Sequence, residues 1–360
     1  MAETKESASR IPAGRLQAFA AGAFVACGMP AEDAATVAEL MLRSDLAGAD
    51  GHGIFRLPSY VKRIRAGGLN LHPRIRIARE SAAMAVVDGD NAMGHLAMKY
   101  CAELAVEKAR QAGIGWVGVH HSNHAGAASV YASMPMQAGM IGLYLAVGNA
   151  NHMPPWGGID LLLSTNPIAI AVPAAKAPPV VLDMATSVAA YGKVKVAAQR
   201  GETMPEGWMI DRQGRPLTDP NRASEGLLLP IGGPKGYGLA FMFGLLAGSL
   251  NGAAFGADTI DFNADFVTPT NTGQAILALD IAAFGDADAF KARVDKAVGE
   301  MKESRTLPGF DGVRLPGERS WETRQERVEH GVPVPAVLAD ALAALGQELG
   351  VAAPFHTTPA

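Results

Sequence analysis

Apolar residues recur at three- and four-residue intervals through the first part of the chain, a spacing typical of amphipathic helices. Residues 11–80 are therefore predicted to be helical, in the segments LQAFAAGAFVACG, AEDAATVAELMLRSDL and FRLPSYVKRIRAGG. Pro30 stands where a first-turn proline opens the second helix, and paired glycines end the third. The turn GADGHG connects the second and third of these helices.

The pattern changes from about residue 82, where short apolar runs alternate with longer amphipathic ones. The short runs predict strands, and they are AMAVVD, WVGVHH, MIGLYLAV, PIAIAVP, VVLDMA and AILALDI. The longer runs predict helices, and they are HLAMKYCAELAVEKARQAG, VAAYGKVKVAAQRG and GYGLAFMFGLLAGSL. Alternating strands and helices predict a layered α/β structure.

Helical spacing returns towards the C-terminus, over residues 286–303 and in VPAVLADALAALGQELG. We therefore predict an α/β (α+β) chain in three segments. Residues 1–80 form the first part of a helical domain, and residues 81–285 form a central α/β domain. Residues 286–360 are predicted to be helical and to pack back on the first segment.

Composition narrows the classes of function. The 31 Lys and Arg residues against 35 Asp and Glu give a formal charge of −4, so a nucleic-acid or membrane-surface partner is not expected. The N-terminal segment lacks the basic-then-apolar order of a signal peptide, and no long apolar stretch is free of Gly and Pro. Cys27 and Cys101 are too few for a disulfide framework, which favours a cytoplasmic location.

Charge is nearly absent from one long segment. Between residues 111 and 175 only Asp160 carries a formal charge, yet four histidines lie there: His120, His121, His124 and His152. Because protein interiors exclude unpaired charge, this segment is either core or a desolvated pocket.

The segment GIGWVG matches the letters of the dinucleotide-binding motif GxGxxG, but its context is reversed. That motif requires a strand before the glycine turn and a helix after it. Here a helix precedes Gly113 and a strand follows. Gly113 is therefore interpreted as a helix-ending residue with positive φ.

The segment HHSNHAG, residues 120–126, follows a predicted strand, where open α/β sheets place their ligand sites. A metal site is one interpretation, but no Asp, Glu or Cys lies nearby in sequence, so zinc would need distant ligands.

General acid/base catalysis is the favoured interpretation of this segment, because the pKa of a histidine lies near neutral pH. His124 is the preferred residue for this role. Because neighbouring strand residues point to opposite faces, at least one of His120 and His121 is interpreted as structural.

Three more segments carry candidate residues. In ADGHGIFRLPSY, His52 and Arg56 are four residues apart and can clamp a carboxylate, although a turn histidine and a surface arginine fit the spacing equally well. Asp50 there is interpreted as a turn or cap residue. In IGGPKGYG, Lys235 and backbone N–H groups can bind phosphate or form a plain turn. In VLDMATS, Asp183 can bind a ribose or cap the next helix.

Taken in order, these motifs resemble one family, the type-2 malate/L-lactate dehydrogenases, which includes ureidoglycolate, sulfolactate, diketogulonate and cyclic-imine carboxylate oxidoreductases. The resemblance covers nearly the whole chain, through GHGIFRLPSY, SNHAG, PPWGG with STNPIA, LDMATS with GKVKVAAQRGE and EGW, GGPKGYGLA, and LPGE. It implies a nicotinamide-dependent enzyme whose mixed-sheet domain is not a Rossmann fold. It also implies a helical domain built from both chain ends and a homodimer with active sites near its interface.

The resemblance assigns roles to matching residues. His124 exchanges the substrate proton, His52 is its neighbour in the site, Arg56 holds the substrate carboxylate, and Tyr60 and Thr165 contact the substrate. Contacts to NAD or NADP are implied for His124, Ala125, Gly126, Ala127, Ala128, Asp183, Met184, Ala185, Lys235, Gly236, Pro316, Gly317 and Glu318. No metal is implied.

One residue departs from the family pattern. Many members have serine immediately before the site histidine, whereas this chain has Gly51. If that hydroxyl assists a proton relay in cyclic-imine reductases, that substrate class is less favoured than a small 2-hydroxy or 2-oxo acid. Two other classes stay open, a non-catalytic protein that binds small carboxylates and a histidine-metal hydrolase.

Overall fold

The computed structural model describes residues 9–355, apart from the side chains of residues 196, 199 and 200. Ten α-helices occur in this part of the chain: α1 Ala13–Ala26, α2 Ala31–Leu46, α3 Leu57–Arg65, α4 Gly94–Ala112, α5 Ala128–Ala132, α6 Tyr191–Arg200, α7 Pro234–Ala247, α8 Ala287–Lys302, α9 Glu318–His330 and α10 Ala336–Leu349. Each helix segment that the apolar spacing predicted is present.

The strands of the described residues are β1 Ser9–Ile11, β2 Arg76–Glu80, β3 Met84–Asp88, β4 Ile114–Ser122, β5 Ile141–Ala146, β6 Ile168–Val172, β7 Val180–Met184, β8 Met209–Ile210, β9 Leu227–Leu228, β10 Thr272–Leu279 and β11 Val332–Val334. Seven of them form one sheet in the order β2-β3-β4-β10-β5-β6-β7. Only the β3–β4 pair of this sheet is parallel. The predicted mixed α/β fold is confirmed.

Glycines allow α4 to lie close against the sheet. A Cβ on Gly115 would lie 2.0 Å from the carbonyl oxygen of Ala105, so only glycine permits this approach of strand to helix. Gly113 ends α4 with a φ of 78°, which confirms its interpretation as a helix terminator. The buried face of α4 joins the sheet core through Met98 and Cys101, which pack with Val117.

The prediction that all of residues 11–80 are helical is wrong at its C-terminal end. Residues 76–80 form β2, an edge strand paired with β3. Its arginine and glutamate side chains are exposed, so it has no apolar face that would have marked it as a strand. Charged side chains are typical of edge strands, because they discourage pairing with other chains.

The first and last parts of the described chain lie together. β1 pairs antiparallel with β11, and Leu342 and Leu345 of α10 share a buried cluster with Phe24 of α1 and Tyr60 of α3. We propose on these contacts that the chain ends form one helical unit. α8 lies elsewhere, because its Asp295 accepts hydrogen bonds from the backbone N–H groups of residues 175–177, after β6. Residues 286–303 thus contact the sheet region at a place that the sequence did not predict.

Candidate active site

A turn after α2 carries His52 and Arg56. The Asp45 carboxylate accepts a 2.8 Å hydrogen bond from the N–H of Ile54, and a Cβ on Gly53 would lie 2.0 Å from that carboxylate. Arg327 of α9 pairs with Asp50 and donates to the carbonyl of Asp45. The turn is therefore fixed from behind, and Asp50 has a structural partner, as a turn residue would.

His124 follows β4 in a loop with little freedom. Gly126 has a φ of 83°, and a Cβ there would lie 3.1 Å from Nε2 of His95, so glycine is required. The Tyr131 hydroxyl donates to the carbonyl of Ala125 at 2.5 Å. These contacts fix the loop of residues 125–128 and the ring of His124 before it.

The structure brings His52, Tyr60 and His124 together. The imidazole rings of His52 and His124 stack with centroids 5.5 Å apart and an interplanar angle of 16°. The hydroxyl of Tyr60, on the buried face of α3, lies 2.5 Å from Nδ1 of His124. Because Nδ1 is occupied, Nε2 of His124 is the nitrogen left for a substrate.

Desolvation keeps this cluster neutral. Burial, together with the nearby Arg56 guanidinium, lowers the pKa of His52 to about 4. Burial also lowers the pKa of His124 well below its usual range, helped by Arg56 and the other histidines. Burial raises the pKa of Tyr60 above its usual range, so the phenol keeps its proton. At neutral pH the free site therefore holds a neutral base beside a fixed positive charge.

Arg56 reaches this site with part of its guanidinium already bound. Nε donates to the carbonyl of Gly51 at 2.8 Å, and Nη1 donates to Oδ1 of Asn263 at 3.1 Å. Among the described residues, Nη2 has no hydrogen-bond partner. The side chain is therefore oriented by the protein while N–H groups remain for a carboxylate.

Removing the Tyr60 hydroxyl tests its action on His124. We expect Tyr60→Phe to lower kcat about tenfold. The substitution removes a buried hydrogen bond worth about 1–1.5 kcal/mol and leaves Nδ1 of His124 without a partner. Steady-state turnover gives the effect, and Tyr100→Phe, on α4, is the matched control. Equal turnover in the Tyr60→Phe variant and the parent would show that the hydroxyl has no effect on catalysis by His124.

Sequence reasoning missed two aromatic neighbours of this cluster. His95 is fully buried and stands edge-on to Tyr60 at 5.6 Å, and neither of its ring nitrogens has a partner among the described residues. Phe262 packs against Tyr60 at 5.8 Å and against His124 at 5.6 Å. A histidine on the apolar face of α4 was the only available signal for His95.

His95 makes stability depend on pH. Burial lowers its pKa to about 3, whereas an unfolded chain binds the proton near pH 6.5. Because the unfolded state takes up the proton first, stability is lost as pH falls below about 6.5. We expect the parent to lose up to about 2 kcal/mol more than His95→Leu between pH 7 and pH 5. Urea unfolding at both pH values measures this difference, and parallel pH profiles would contradict it.

Several of the predicted cofactor contacts lie on or beside β7, along one cleft. Asp183 lies on β7, and its carboxylate accepts the N–H of Ser129 in α5 at 2.8 Å, which joins β7 to the His124 loop. The carbonyl of Pro316 accepts the N–H of Val181, and Gly317, with a φ of 84°, lies against that strand. A cleft runs from His52 past Ser129 and Asp183 to these residues. Met184 and Ala185, which follow Asp183, are partly buried.

Four predicted residues have other surroundings. Lys235 is exposed at the start of α7, and Gly236 is buried with no room for a Cβ beside Ile231. The Glu318 carboxylate pairs with Lys302 and accepts the N–H of Leu315, so it is engaged within the chain. The carbonyl of Thr165 accepts two hydrogen bonds from Thr186, and its side chain is partly exposed.

Comparison with known proteins identifies the family. A family model described as malate/L-lactate dehydrogenase matches residues 11–343. The chain belongs to this family. The malate dehydrogenase of Pyrococcus abyssi is 38% identical over 354 residues, which cover 96% of each chain. The L-sulfolactate dehydrogenase of Methanothermobacter thermautotrophicus is 38% identical over 327 residues, 91% of this chain and 93% of that one.

A solved structure agrees with the sequence matches. The malate dehydrogenase from Pyrococcus horikoshii OT3 aligns with a TM-score of 0.89 at 34% identity, over 98% of this chain and 99% of that chain. The resemblance drawn from the motifs is confirmed. As a member of the malate/L-lactate dehydrogenase family, the chain is an oxidoreductase that uses a nicotinamide cofactor. None of the helices in residues 9–355 combines the length and apolar character needed to cross a bilayer.

Proposed function

We propose that this enzyme transfers a hydride between NAD or NADP and C2 of a small 2-hydroxy or 2-oxo carboxylate, such as malate, lactate, sulfolactate or ureidoglycolate. One observation carries the proposal: the stacked imidazoles of His52 and His124 are kept neutral by burial and by the nearby guanidinium of Arg56, which retains free N–H groups. That arrangement offers a proton acceptor and a carboxylate clamp in one place.

In the proposed mechanism Arg56 binds the substrate carboxylate and fixes the position of C2. During oxidation Nε2 of His124 takes the hydroxyl proton, while Nδ1–H donates to Tyr60 and stabilises the imidazolium that forms. During reduction His124 returns the proton to the oxygen. His52 hydrogen-bonds the reacting oxygen or tunes His124 through the stacked ring. The nicotinamide, when bound, supplies or accepts the hydride.

The residues of the cleft fit a dinucleotide. Gly317 lines the cleft with positive φ, and a Cβ on it would lie 2.7 Å from the carbonyl oxygen of Val181, so only glycine fits this turn. Gly126, in the loop after His124, also has positive φ. The exposed Asp183 carboxylate can accept a hydrogen bond from a ribose. We propose that the loop 124–128, residues 183–185 and residues 316–317 hold NAD or NADP. Lys235 with Gly236, and Glu318, complete the proposed set.

The test is a substrate panel read by absorbance of the reduced nicotinamide. NADH and NADPH are each assayed with 2-oxo acids and cyclic-imine carboxylates, and binding of each cofactor is measured separately. We expect turnover with a 2-oxo acid, and the ratio of rates assigns the cofactor. Carboxylate binding without cofactor binding or turnover would instead support a non-catalytic carboxylate-binding protein.

Cyclic-imine carboxylate reduction is the second candidate, and Gly51 bears on it. A Cβ on Gly51 meets nothing within 4 Å, so a serine fits there. We expect Gly51→Ser to raise the imine rate relative to the 2-oxo acid rate, because it places a hydroxyl next to His52. Gly51→Ala is the matched control for size. Parent activity on imines that equals its activity on 2-oxo acids would show that the hydroxyl is dispensable.

We also propose a homodimer in the cytoplasm. Leu239, Phe241 and Met242 of α7 are each at least 41% exposed, an apolar surface that a second copy of the chain would bury. Light scattering on the purified chain tests the dimer, and a monomer mass would exclude it.

Burial raises the pKa of Cys27 and Cys101, and both thiols are free, as in a reducing compartment.

A further inference from the structure

Three metal-ligating side chains converge at the ends of β3 and β4. The parallel register places Asp88 beside His120, although the two are far apart in sequence. Nδ1 of His121 lies 3.0 Å from Oδ1 of Asp88 and 3.1 Å from Nδ1 of His120. Each of Asp88, His120 and His121 offers one ligand atom, and these three atoms all lie within 4.8 Å of one another.

Hydrogen bonds among the three side chains do not pair all three atoms at once. If Nδ1 of His121 carries a proton, that one proton faces both the Asp88 carboxylate and Nδ1 of His120. If it carries none, its lone pair faces a carboxylate oxygen. One nitrogen cannot donate to Asp88 and accept from His120 at once. A cation in the middle would satisfy all three lone pairs.

The surroundings leave the convergent atoms available. Oδ2 of Asp88 pairs with Arg76, and Oδ1 also accepts the N–H of Asp90, which leaves a lone pair of Oδ1 for His121. The His121 side chain is 54% exposed, which lets water complete a coordination sphere.

The backbone holds the histidine pair in place. His121 has a φ of 49°, in the left-handed region that residues other than glycine rarely adopt. Its N–H donates to Oδ1 of Asn271 at 2.6 Å, and its carbonyl accepts the N–H of Asn91 at 2.8 Å. These contacts fix the backbone of His121 before any ion binds.

We propose that Asp88, His120 and His121 bind one divalent transition-metal ion of the Zn²⁺ class. Two imidazole nitrogens and one carboxylate oxygen suit zinc and its neighbours better than Mg²⁺ or Ca²⁺, which prefer all-oxygen sites. Zinc–nitrogen bonds of about 2.0–2.1 Å place neighbouring ligands about 3.3 Å apart on a tetrahedral ion, close to the 3.0 and 3.1 Å that separate Nδ1 of His121 from Asp88 and His120. The ion would clamp the end of β3 to the end of β4.

This site is separate from the proposed proton-transfer residue. His124 is engaged with Tyr60, whereas His120 and His121 turn to Asp88. The sequence predicted no metal because no carboxylate is near HHSNHAG in the chain. Asp88 reaches the histidines only through the pairing of β3 with β4. The ion is a structural clamp, so the proposal does not depend on the proposed function.

The experiment is calorimetric titration of chelator-treated full-length protein with Zn²⁺. We expect one equivalent to bind and to raise the melting temperature. His121→Asn and Asp88→Asn should each weaken this binding at least tenfold, because each replaces an imidazole or carboxylate with a neutral amide oxygen, a poorer ligand for zinc. Asparagine tolerates the left-handed conformation, so His121→Asn keeps the backbone. His330→Asn, which removes an exposed imidazole elsewhere, is the control.

Three outcomes would overturn the site. They are no Zn²⁺ binding by the parent, unchanged affinity in both variants, and an equal loss in the His330→Asn control. The last two would mean that zinc binds other histidines. Circular dichroism and turnover without added zinc show whether each variant is folded, so loss of the fold is distinguished from loss of a ligand.

Discussion

Replacing His124 with alanine is expected to lower kcat by about 100-fold or more, the usual scale for losing general acid/base catalysis. His124 is the residue of the cluster whose Nδ1 is held by Tyr60 while Nε2 stays free for a substrate. Without the ring, the hydroxyl proton must leave to water. Steady-state assays in both directions give the change in kcat.

Cofactor affinity should change little in the same variant, because the loop after His124 is fixed by Tyr131 and Gly126 rather than by the imidazole. Fluorescence titration with the reduced cofactor tests this. His72→Ala, which removes an exposed ring, is the matched control. Turnover equal to that of the parent would exclude His124 as the proton-transferring residue.

The pH profile separates the two directions of the reaction. Since the pKa of His124 lies well below its usual range in the free enzyme, the neutral base is already present at neutral pH. The oxidation rate should therefore not fall as pH drops through about 6.5, where an ordinary histidine becomes protonated. Reduction needs the protonated ring and should slow as pH rises.

The spacing of apolar residues predicted most of the fold. Helices place apolar residues every three or four positions, whereas buried strands are short continuous apolar runs. It failed at β2, whose side chains are charged on both faces, and it did not place α8. His124 could be proposed because it follows a strand end. Its partner Tyr60 lies far away in the chain and was implied only by family resemblance, not by spacing.

Contacts between segments that are distant in the chain could not be predicted, because they depend on tertiary packing. His95 lies beneath Gly126, and Asp88 lies beside His120, through tertiary packing that no local spacing encodes. The short-range pair His52 and Arg56 could be proposed, yet the spacing fitted a surface turn equally well. In the structure the ring of His52 stacks on that of His124, and the Asp45 carboxylate fixes the backbone of the turn that carries His52 and Arg56.

Arg56→Lys is expected to raise the substrate KM by about 10- to 100-fold, the equivalent of losing a charge-assisted hydrogen bond of about 1.5–3 kcal/mol. The guanidinium already uses Nε for Gly51 and Nη1 for Asn263, and it still has N–H groups left for a ligand. A lysine ammonium has three donors on a flexible stem and does not reproduce the planar fork.

A comparison of substrates makes this test specific to the carboxylate. The parent should prefer a 2-hydroxy acid strongly over the corresponding 2-hydroxy amide, because only the acid pairs with Arg56. In Arg56→Lys that preference should shrink, since a point charge gains less from the bidentate geometry of the acid. Arg305→Lys, at an exposed position, is the matched control. An unchanged KM together with an unchanged preference for the acid would place the carboxylate elsewhere in the cleft.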